Sequence, residues 1–441
     1  MAKISSIKGI TYNLDKVNIN DAVAPPYDVI SKQEQEELYN SSPYNIVRLI
    51  LGKVFDTDNE INNKYIRAAE FFKEWLNKNI LIKSDKPCIY YYIQKYTASN
   101  GELISRKGFI AKTFLEEFSK GIILPHEYTM GGPKEDRFKL MKECEANFSQ
   151  IFMVYSDPEH EIDKAFELPE KPFIDVTDKQ GVRNIVYIID QENKINKITE
   201  LMKNKTLLIA DGHHRYETAL KYRDYMRLKN STHNDKDEFN WVMSYFTNLD
   251  DENLKVYPTH RVITKPVNFE ELLENLKKSF SITEFSFEEI NKAQVKQLFL
   301  EKLENKSKEN IVFGIFSKNI NNKLFLIELN NKENIDEILE EKNIPKELRN
   351  LDLTILHKLI VNDFLGINEE DQMKLNGIKY TKKEEEAFND IDLGYAEMIF
   401  LTVSPKIQDI KEISSKGCRM PQKSTYFYPK LLSGLVINPL E

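Results

Sequence analysis

The chain of 441 residues has few cysteines, no long apolar run and no excess of positive charge. Cys88, Cys144 and Cys418 are odd in number, widely separated and without metal-ligand spacing, which predicts a reduced, cytoplasmic protein. No apolar stretch approaches the roughly 20 residues that a membrane helix needs. The N-terminal residues lack the basic-then-apolar layout of a signal peptide. We therefore expect neither a membrane partner nor export.

The charge balance is acidic, with 62 Lys and Arg against 70 Asp and Glu and a formal net charge of −8. This balance argues against broad nucleic-acid binding, although it leaves room for a local basic groove. With 41% hydrophobic and 30% charged residues, the composition is that of an ordinary globular protein. The oligomeric state stays open.

Helical and strand-like spacings alternate along the chain, which predicts a mixed α/β (α+β) fold without internal repeats. The length allows two or three domains. We predict an N-terminal α/β domain (1–120), a central domain (121–265) and a C-terminal α/β domain (266–441). The spacing predicts helices at 65–76, 269–280, 294–303 and 351–364, and strands at 88–96, 108–115, 206–210, 240–249, 310–316, 323–329, 396–403 and 434–437.

One polar cluster lies where a predicted strand (206–210) turns into a helical pattern from Tyr216 onward. Its residues are Asp211, Gly212, His213, His214 and Arg215. Glycine lets the backbone approach a ligand, the first helical N–H groups point outward, and an arginine adds a fork for phosphate or carboxylate. The turn is therefore predicted to bind an anion.

Two simpler interpretations of this turn have to be weighed. Asp211 could merely be the helix N-cap, for which Asp is favoured, but an N-cap requires neither the two histidines nor Arg215. The adjacent His213 and His214 could suggest zinc, but neighbouring residues point in different directions on a helix or strand and do not readily share one metal. We expect one imidazole to face the ligand and the other to pack.

Further polar clusters flank the turn on both sides in the sequence. Their residues are His126 and Glu127 after Pro125, the run Lys134 to Arg137, the pair His260 and Arg261, and Arg419, Lys423, Ser424 and Thr425 in a loop before the C-terminus. The run at Lys134 is also typical of a solvated first helical turn. The C-terminal loop suits a phosphate cradle, but its spacing is not that of a Walker loop, and a plain surface loop has the same composition.

A paired-proline turn, Pro25-Pro26-Tyr27-Asp28, lies near the N-terminus. Its prolines fix an extended or turn backbone rather than a helix. The sequence leaves open whether this turn is a binding loop or a rigid surface turn.

Taken in order, these clusters resemble those of the free-serine kinases with a ParB/sulfiredoxin-like core. They resemble more closely a longer prokaryotic family, catalogued as a domain of unknown function, whose hallmark is similar to the run from Ala210 to Leu220. The resemblance has three parts: Pro-His-Glu at 125–127, Asp-Gly-His-His-Arg at 211–215, and a Pro-Xaa-Lys-Ser-Thr loop at 421–425. It implies a ParB/sulfiredoxin-like catalytic core in the central domain.

The resemblance also implies roles for individual residues. Glu127 is the expected general base on the serine hydroxyl, and Asp211 the expected catalytic carboxylate and Mg²⁺ ligand. The expected phosphate- and substrate-binding residues are His126, Gly212, His213, His214, Arg215, Arg419, Lys423, Ser424 and Thr425, with Lys134, Arg137, His260 and Arg261 as further candidates. The three clusters are then expected to form one active site.

The expected reaction is transfer of a phosphoryl group to free L-serine, giving O-phospho-L-serine. Pyrophosphate, ADP and ATP all stay open as donors, because no adenine-recognition motif is legible and residues 1–120 have no counterpart in the short serine kinases. Two other functions could use the same turn. One is a ParB-like nucleotide-binding or DNA-associated regulator, against which the acidic charge and the lack of a helix-turn-helix pattern argue. The other is a hydrolase of phosphoserine or another phosphate ester.

Overall fold

A computed structural model describes residues 1–98, 101–128, 131–230, 232–318, 320 and 322–441. The chain divides into two compact units. The first unit comprises Met1–Pro125, Thr129–Lys255 and Pro429–Glu441, and the second comprises His126–Tyr128 and Val256–Tyr428. The three domains predicted from the sequence stay a prediction.

The strands are short to medium in length and lie along the whole chain. They are β1 (Ile4–Ser5), β2 (Ile10–Tyr12), β3 (Leu81–Lys83), β4 (Ile89–Thr97), β5 (Leu103–Phe114), β6 (Ile123–Leu124), β7 (Ala146–Asn147), β8 (Ile151–Tyr155), β9 (Ile174–Thr177), β10 (Arg183–Ile189), β11 (Leu207–Asp211), β12 (Trp241–Asn248), β13 (Lys255–Tyr257), β14 (His260–Ile263), β15 (Phe280–Ser286), β16 (Val312–Ser317), β17 (Lys323–Leu329), β18 (Ile378–Thr381), β19 (Met398–Leu401), β20 (Tyr426–Tyr428) and β21 (Asn438–Pro439).

Helices connect many of these strands. They are α1 (Ile19–Ala22), α2 (Lys32–Ser41), α3 (Val47–Ile50), α4 (Lys64–Asn77), α5 (Gly131–Cys144), α6 (Glu161–Lys164), α7 (Glu192–Met202), α8 (His213–Lys229), α9 (Phe269–Leu276), α10 (Lys292–Ser307), α11 (Lys332–Glu341), α12 (Lys346–Arg349), α13 (Asp352–Ile355), α14 (Glu369–Lys374), α15 (Glu384–Asp392) and α16 (Ile407–Ser415). Short 3₁₀ turns lie at Tyr27–Val29, Phe118–Lys120, Glu238–Asn240 and Glu289–Asn291, and α13 continues as a π-helix at Leu356–Phe364.

The first unit is built on a nine-stranded sheet with the order β6-β11-β8-β12-β5-β4-β10-β9, and β1 pairs beside β5. β11 is parallel to β6 and β12 is parallel to β8, whereas the other neighbours run antiparallel. One face carries an apolar core in which alternate strand residues pack against α7 and α8. This packing fixes β11 and α8, and with them the turn that joins the two elements.

The other face of this sheet carries a buried polar row. Gln94 on β4 lies directly across from Arg106 on β5 and from Asn184 on β10, so the three side chains share one face. All three are fully buried. The carbonyls of Pro429 and Lys430 accept hydrogen bonds from this row, so residues near the C-terminus cover it.

The second unit is built on a six-stranded sheet with the order β15-β17-β16-β19-β14-β18, in which every neighbouring pair is antiparallel. Aromatic and aliphatic residues of the sheet, α10 and α15 form its core. β13 and β20 form a separate two-stranded sheet. In the part of the chain that the structure describes, no helix has both the length and the apolar character to cross a membrane.

The mixed α/β class predicted from the sequence is confirmed, and most predicted elements lie within a few residues of the observed ones. The predicted helix 269–280 ends earlier, at Leu276, because Phe280 begins a strand that pairs with β17. The predicted strand 434–437 is wrong. Gly434 has a φ of 94°, a left-handed conformation that interrupts a strand, and only Ile437 forms a single bridge there, to Ile10.

Candidate active site

The strand-to-helix turn at residue 211 is present as predicted. β11 is buried along its apolar residues and ends at Asp211, and α8 begins two residues later at His213. Gly212 has a φ of 97° and is itself the N-cap of α8. The N-cap interpretation of Asp211 is therefore wrong, because the carboxylate stands at the end of the strand and contacts cations instead.

Two cations hold the Asp211 carboxylate, one at each oxygen. Lys430 Nζ donates to Oδ1 at 2.6 Å, and Arg215 Nη2 donates to Oδ2 at 2.8 Å. The side chains of Asp211, Arg215 and Lys430 are only 21%, 14% and 15% exposed. Burial alone would raise the pKa of Asp211, but the charges of Lys430 and Arg215 hold it well below its usual range. These residues and His213 are called the Asp211 cluster below.

The two histidines of the turn have different surroundings. His213 is buried, and its charge would act on Asp211. His214 is partly exposed, and its carbonyl accepts a hydrogen bond from the Thr218 hydroxyl at 2.7 Å. Among the residues that the structure describes, no group of three or more His, Cys, Asp and Glu side chains could hold a metal ion. That one imidazole faces a ligand and the other packs stays a prediction.

Gly212 is needed at this turn for two reasons, which predicts a costly Gly212→Ala substitution. A Cβ at residue 212 would lie 3.0 Å from the Arg215 guanidinium, and the left-handed φ costs a side chain about 1–2 kcal/mol. Gly121→Ala is the matched control, because its φ is +66° and nothing lies within 4 Å of the added Cβ. Urea unfolding should show the larger loss for Gly212→Ala. Equal losses would mean that the Arg215 contact has no effect.

The charged run Lys134 to Arg137 lies in α5, and salt bridges and hydrogen bonds hold it rather than solvent alone. The partners are Glu217 for Lys134, Lys221 for Glu135, Lys64 and Tyr65 for Asp136, and the Ile50 carbonyl for Arg137. Burial opposes ionisation of Asp136, but Arg137 and Lys64 outweigh it and lower its pKa to about 2. The outer pair, Glu135 with Lys221, is half exposed, as a solvated helical turn would be.

The paired-proline turn of the N-terminal segment reaches the neighbourhood of this run. The Arg137 guanidinium lies 3.9 Å from the centre of the Tyr27 ring. Tyr27 and Arg137 line a cavity together with Arg215 and Thr218. Since Arg215 also binds Asp211, a wall of this cavity belongs to the Asp211 cluster. Whether the turn is a binding loop or a rigid turn stays open.

In the second unit, His126 and Glu127 meet the C-terminal loop. Glu127 Oε1 accepts hydrogen bonds from the backbone N–H groups of Ser424 and Thr425, both at 3.1 Å, and lies 3.3 Å from the Thr425 hydroxyl. The fully buried His126 has its Nε2 2.7 Å from the same hydroxyl. The structure thus brings together residues about 300 positions apart. His126, Glu127, Ser424 and Thr425 are called the Glu127 cluster.

The remaining residues of the predicted donor loop have separate environments. The Ser424 hydroxyl donates to the Pro421 carbonyl at 2.5 Å and so stabilises the loop's own turn. Lys423 is exposed and has a φ of 56°. The Arg419 guanidinium lies 5.4 Å from the centre of the Tyr128 ring. A donor-binding role for these residues stays a prediction, and two of the loop's backbone N–H groups are engaged by Glu127.

Of the pair on β14, Arg261 supports this loop. Its fully buried guanidinium donates to the Lys423 carbonyl at 3.4 Å and to His357 Nε2 at 3.0 Å. Burial lowers the pKa of Arg261 to about 10. Burial and the charge of Arg261 lower the pKa of His357 to about 3, so His357 is neutral and its Nε2 accepts the hydrogen bond from Arg261. His260 instead accepts from the Thr402 N–H at 3.2 Å and lies 3.9 Å from Glu384.

Lys430 is the functional candidate that the sequence prediction missed. It follows Tyr428 and Pro429, just beyond the loop that carries the predicted donor residues. A lone lysine in this run has no spacing that distinguishes it from the many other lysines of the chain. Only the fold shows that it contacts Asp211, which is 219 positions away.

The fold and these clusters define a mixed α/β protein with a carboxylate held by cations at a strand-to-helix turn. The chain belongs to the family described as "Protein of unknown function (DUF1015)", whose model matches residues 4–354. This agrees with the expected long family, whereas its Ala210–Leu220 hallmark stays a prediction. The match includes Glu127 and Asp211 and ends before the C-terminal loop and Lys430. No curated protein matches the chain.

Three solved structures show a weak likeness. A free serine kinase mutant in complex with AMP is 14% identical, with 71% of this chain and 85% of that chain covered and a TM-score of 0.35. A conserved hypothetical protein from Pyrococcus furiosus is 15% identical, with 71% and 88% covered and a TM-score of 0.33. SbnI with a C-terminal truncation from Staphylococcus aureus is 9% identical, with 72% and 84% covered and a TM-score of 0.34. Likenesses of this size carry no argument about function.

Proposed function

We propose that the protein is a phosphotransferase that phosphorylates the hydroxyl of free L-serine, with pyrophosphate or a nucleotide as donor. The observation that carries the proposal is the turn at Asp211, where a carboxylate at a strand end and an arginine in the first turn of α8 meet at 2.8 Å. The start of a long helix and a fixed guanidinium together suit a phosphate group. The choice of serine as acceptor comes from the resemblance of the three motifs.

The proposed reaction is a displacement at the terminal phosphorus of the donor. Glu127 accepts the proton of the serine hydroxyl, whose oxygen bonds to the donor's terminal phosphorus. The bond from that phosphorus to the donor's bridging oxygen breaks, and the leaving group is phosphate, AMP or ADP for pyrophosphate, ADP or ATP. A positioned base contributes roughly 10²–10⁴ in rate, and charge stabilisation by cations contributes most of the remainder.

Two features of the Glu127 cluster support the assignment of the base. The carboxylate is 16% exposed and two backbone N–H groups fix one of its oxygens, so its orientation is set before a substrate arrives. That the two clusters act on one substrate stays a prediction.

Mg²⁺ is part of the proposal. Magnesium is commonly held by one or two carboxylates together with substrate phosphate oxygens, and it neutralises charge on the transferred group. The Asp211 carboxylate fits the protein's share of such a set. Each of its oxygens already accepts a hydrogen bond from one cation, so Mg²⁺ would use a remaining lone pair or displace one of the two cations.

The test is an acceptor and donor panel with the full chain. The protein is incubated with L-serine and Mg²⁺ and, separately, pyrophosphate, ADP or ATP, and O-phosphoserine is quantified by mass spectrometry. Product with at least one donor is expected. Phosphate released from phosphoserine without a donor would show a hydrolase instead, and salt-sensitive binding of duplex DNA would favour the regulator.

A further inference from the structure

The Lys430 ammonium group contacts Asp211 and could also contact a ligand bound beside it. Its ammonium group is 2.6 Å from Asp211 Oδ1, and Arg215 lies on Oδ2. Two cations and one carboxylate leave these three side chains with a formal positive charge. A partly exposed group of this composition is complementary to an anion. We propose that Lys430 is a phosphate-binding residue of the Asp211 cluster.

Buried side chains of the sheet donate hydrogen bonds to the backbone around Lys430. Residues 429–433 are called the C-terminal strap. Arg106 Nη2 donates to the Pro429 carbonyl at 2.6 Å and Gln94 Nε2 to the Lys430 carbonyl at 3.0 Å, so both peptide groups beside the lysine are fixed. Because the backbone is anchored, little backbone entropy is lost when the Lys430 side chain binds a ligand.

The same support reaches Arg215. Gln150 donates from its side chain to the Leu432 carbonyl at 3.1 Å, while its own backbone carbonyl accepts from Arg215 Nη1. Gln150 is 1% exposed. Gln150 therefore links Arg215 to the strap that carries Lys430. Such preorganisation is what a phosphate site requires.

Burying the charged Arg106 costs free energy, and its contact with the strap gives a reason for its position. Its guanidinium is fully buried, and its hydrogen bonds go to the neutral oxygens of Gln94 and Pro429. The ring of Phe152 lies 4.6 Å away and offers partial compensation for the charge. In the described part of the chain, its Nε and Nη1 atoms have no hydrogen-bond acceptor. Arg106 thus acts as a positioning residue for the strap and for Lys430.

The competing interpretation is a structural ion pair that only fastens the strap. A structural pair would change stability and leave anion affinity intact in the folded protein. A ligand-binding lysine would change the affinity for phosphate compounds. The choice of phosphate as ligand rests on the proposed function, but the affinity can be measured without turnover.

The experiment is calorimetric titration of the full chain with pyrophosphate in the presence of Mg²⁺. Lys430→Met is expected to weaken binding about 10- to 100-fold, the size of a lost charge-assisted hydrogen bond. Lys430→Arg, which keeps the charge, should stay within about threefold of the wild type. The matched control is Lys112→Met. Lys112 belongs to the same unit, is 10% exposed and binds Glu238 at 2.7 Å, and its loss should leave the affinity unchanged.

Arg106→Met tests the positioning role. It should weaken pyrophosphate binding in a protein that circular dichroism shows to be folded, and it should add little to the effect of Lys430→Met in the double variant.

If Lys430→Met does not fold, Lys430→Gln replaces it, because glutamine keeps a donor for Asp211 and removes the charge. Affinity within twofold of the wild type in the folded Lys430→Met or Lys430→Gln variant would overturn the proposal, as would a wild type that binds no pyrophosphate. Pyrophosphate binding without phosphoserine formation would instead contradict the proposed function alone.

Discussion

Replacing Asp211 by Asn is expected to lower phosphoserine formation by at least about 10³-fold. The substitution removes the carboxylate that both cations of the cluster contact and that would hold Mg²⁺. Several kcal/mol of charge stabilisation in the transition state depend on that group, and each 1.4 kcal/mol is a factor of ten in rate. The measurement is the initial rate of O-phosphoserine formation with the best donor.

Asp58→Asn is the matched control for this substitution. Asp58 belongs to the same unit, has a side chain that is 15% exposed, and binds Arg67 at 2.7 Å. It should leave the rate within about twofold of the wild type. A similar fall in both variants would show that the loss comes from general destabilisation, and an unchanged rate in Asp211→Asn would remove Asp211 from the mechanism.

Replacing Asp211 by Asn is also expected to lower stability. An exposed turn would contribute little, but the side chains of Asp211, Arg215 and Lys430 are only 14–21% exposed. Asp211→Asn should therefore cost about 1–2 kcal/mol at pH 7, after allowance for solvent screening. The folded-state pKa of Asp211 is lowered, so this contribution is complete above the unfolded-state value of about 4 and is lost as the pH falls toward the folded-state value. Urea unfolding at pH 7 and at pH 3 should show the difference between the two proteins shrinking in acid.

Replacing Glu127 by Gln is expected to lower kcat about 10²–10⁴-fold with a much smaller change in KM for serine. Glutamine retains an amide oxygen that can accept the N–H groups of Ser424 and Thr425, so the loop should keep its structure. It cannot accept the proton of the serine hydroxyl at neutral pH, so the contribution of the base is lost. Steady-state kinetics with serine as the varied substrate measures the effect.

Glu370→Gln is the control for this change, because Glu370 lies in the same unit and its side chain is 70% exposed. It should leave kcat unchanged.

Combining Glu127→Gln with Asp211→Asn adds a test of the single active site predicted from the sequence. Residues that act as one unit give strongly non-additive losses in rate, whereas independent effects multiply. Multiplicative losses would contradict the prediction that the two clusters act on one substrate.

The turn at Asp211 could be predicted because its signals are local. The short apolar run at 206–210 predicts the strand, the spacing after Tyr216 predicts the helix, and the glycine between them marks the turn. The role of Gly212 rather than Asp211 as the N-cap could not be predicted, because both residue types are common there. The contacts of the Asp211 carboxylate decide the matter, and those depend on tertiary structure.

The supporting residues could not be predicted, because their partners are distant in sequence. In the sequence, Arg106 and Gln94 look like ordinary polar residues of two strands. Only the folded structure shows that they donate hydrogen bonds to the strap. Arg261 was a candidate, but its hydrogen bond to the Lys423 carbonyl depends on the fold of the second unit. The same applies to Lys430, which only the C-terminal strap brings to Asp211.

The most direct test of the account is phosphorus-31 NMR of the reaction with L-serine labelled with ¹⁸O in its hydroxyl group. The account predicts an O-phosphoserine signal with an isotope shift, because the serine oxygen itself attacks the phosphorus and is retained in the ester. The signal should require a donor and should be absent in Asp211→Asn. No phosphoserine with pyrophosphate, ADP or ATP, or phosphoserine without the ¹⁸O label, would contradict the account.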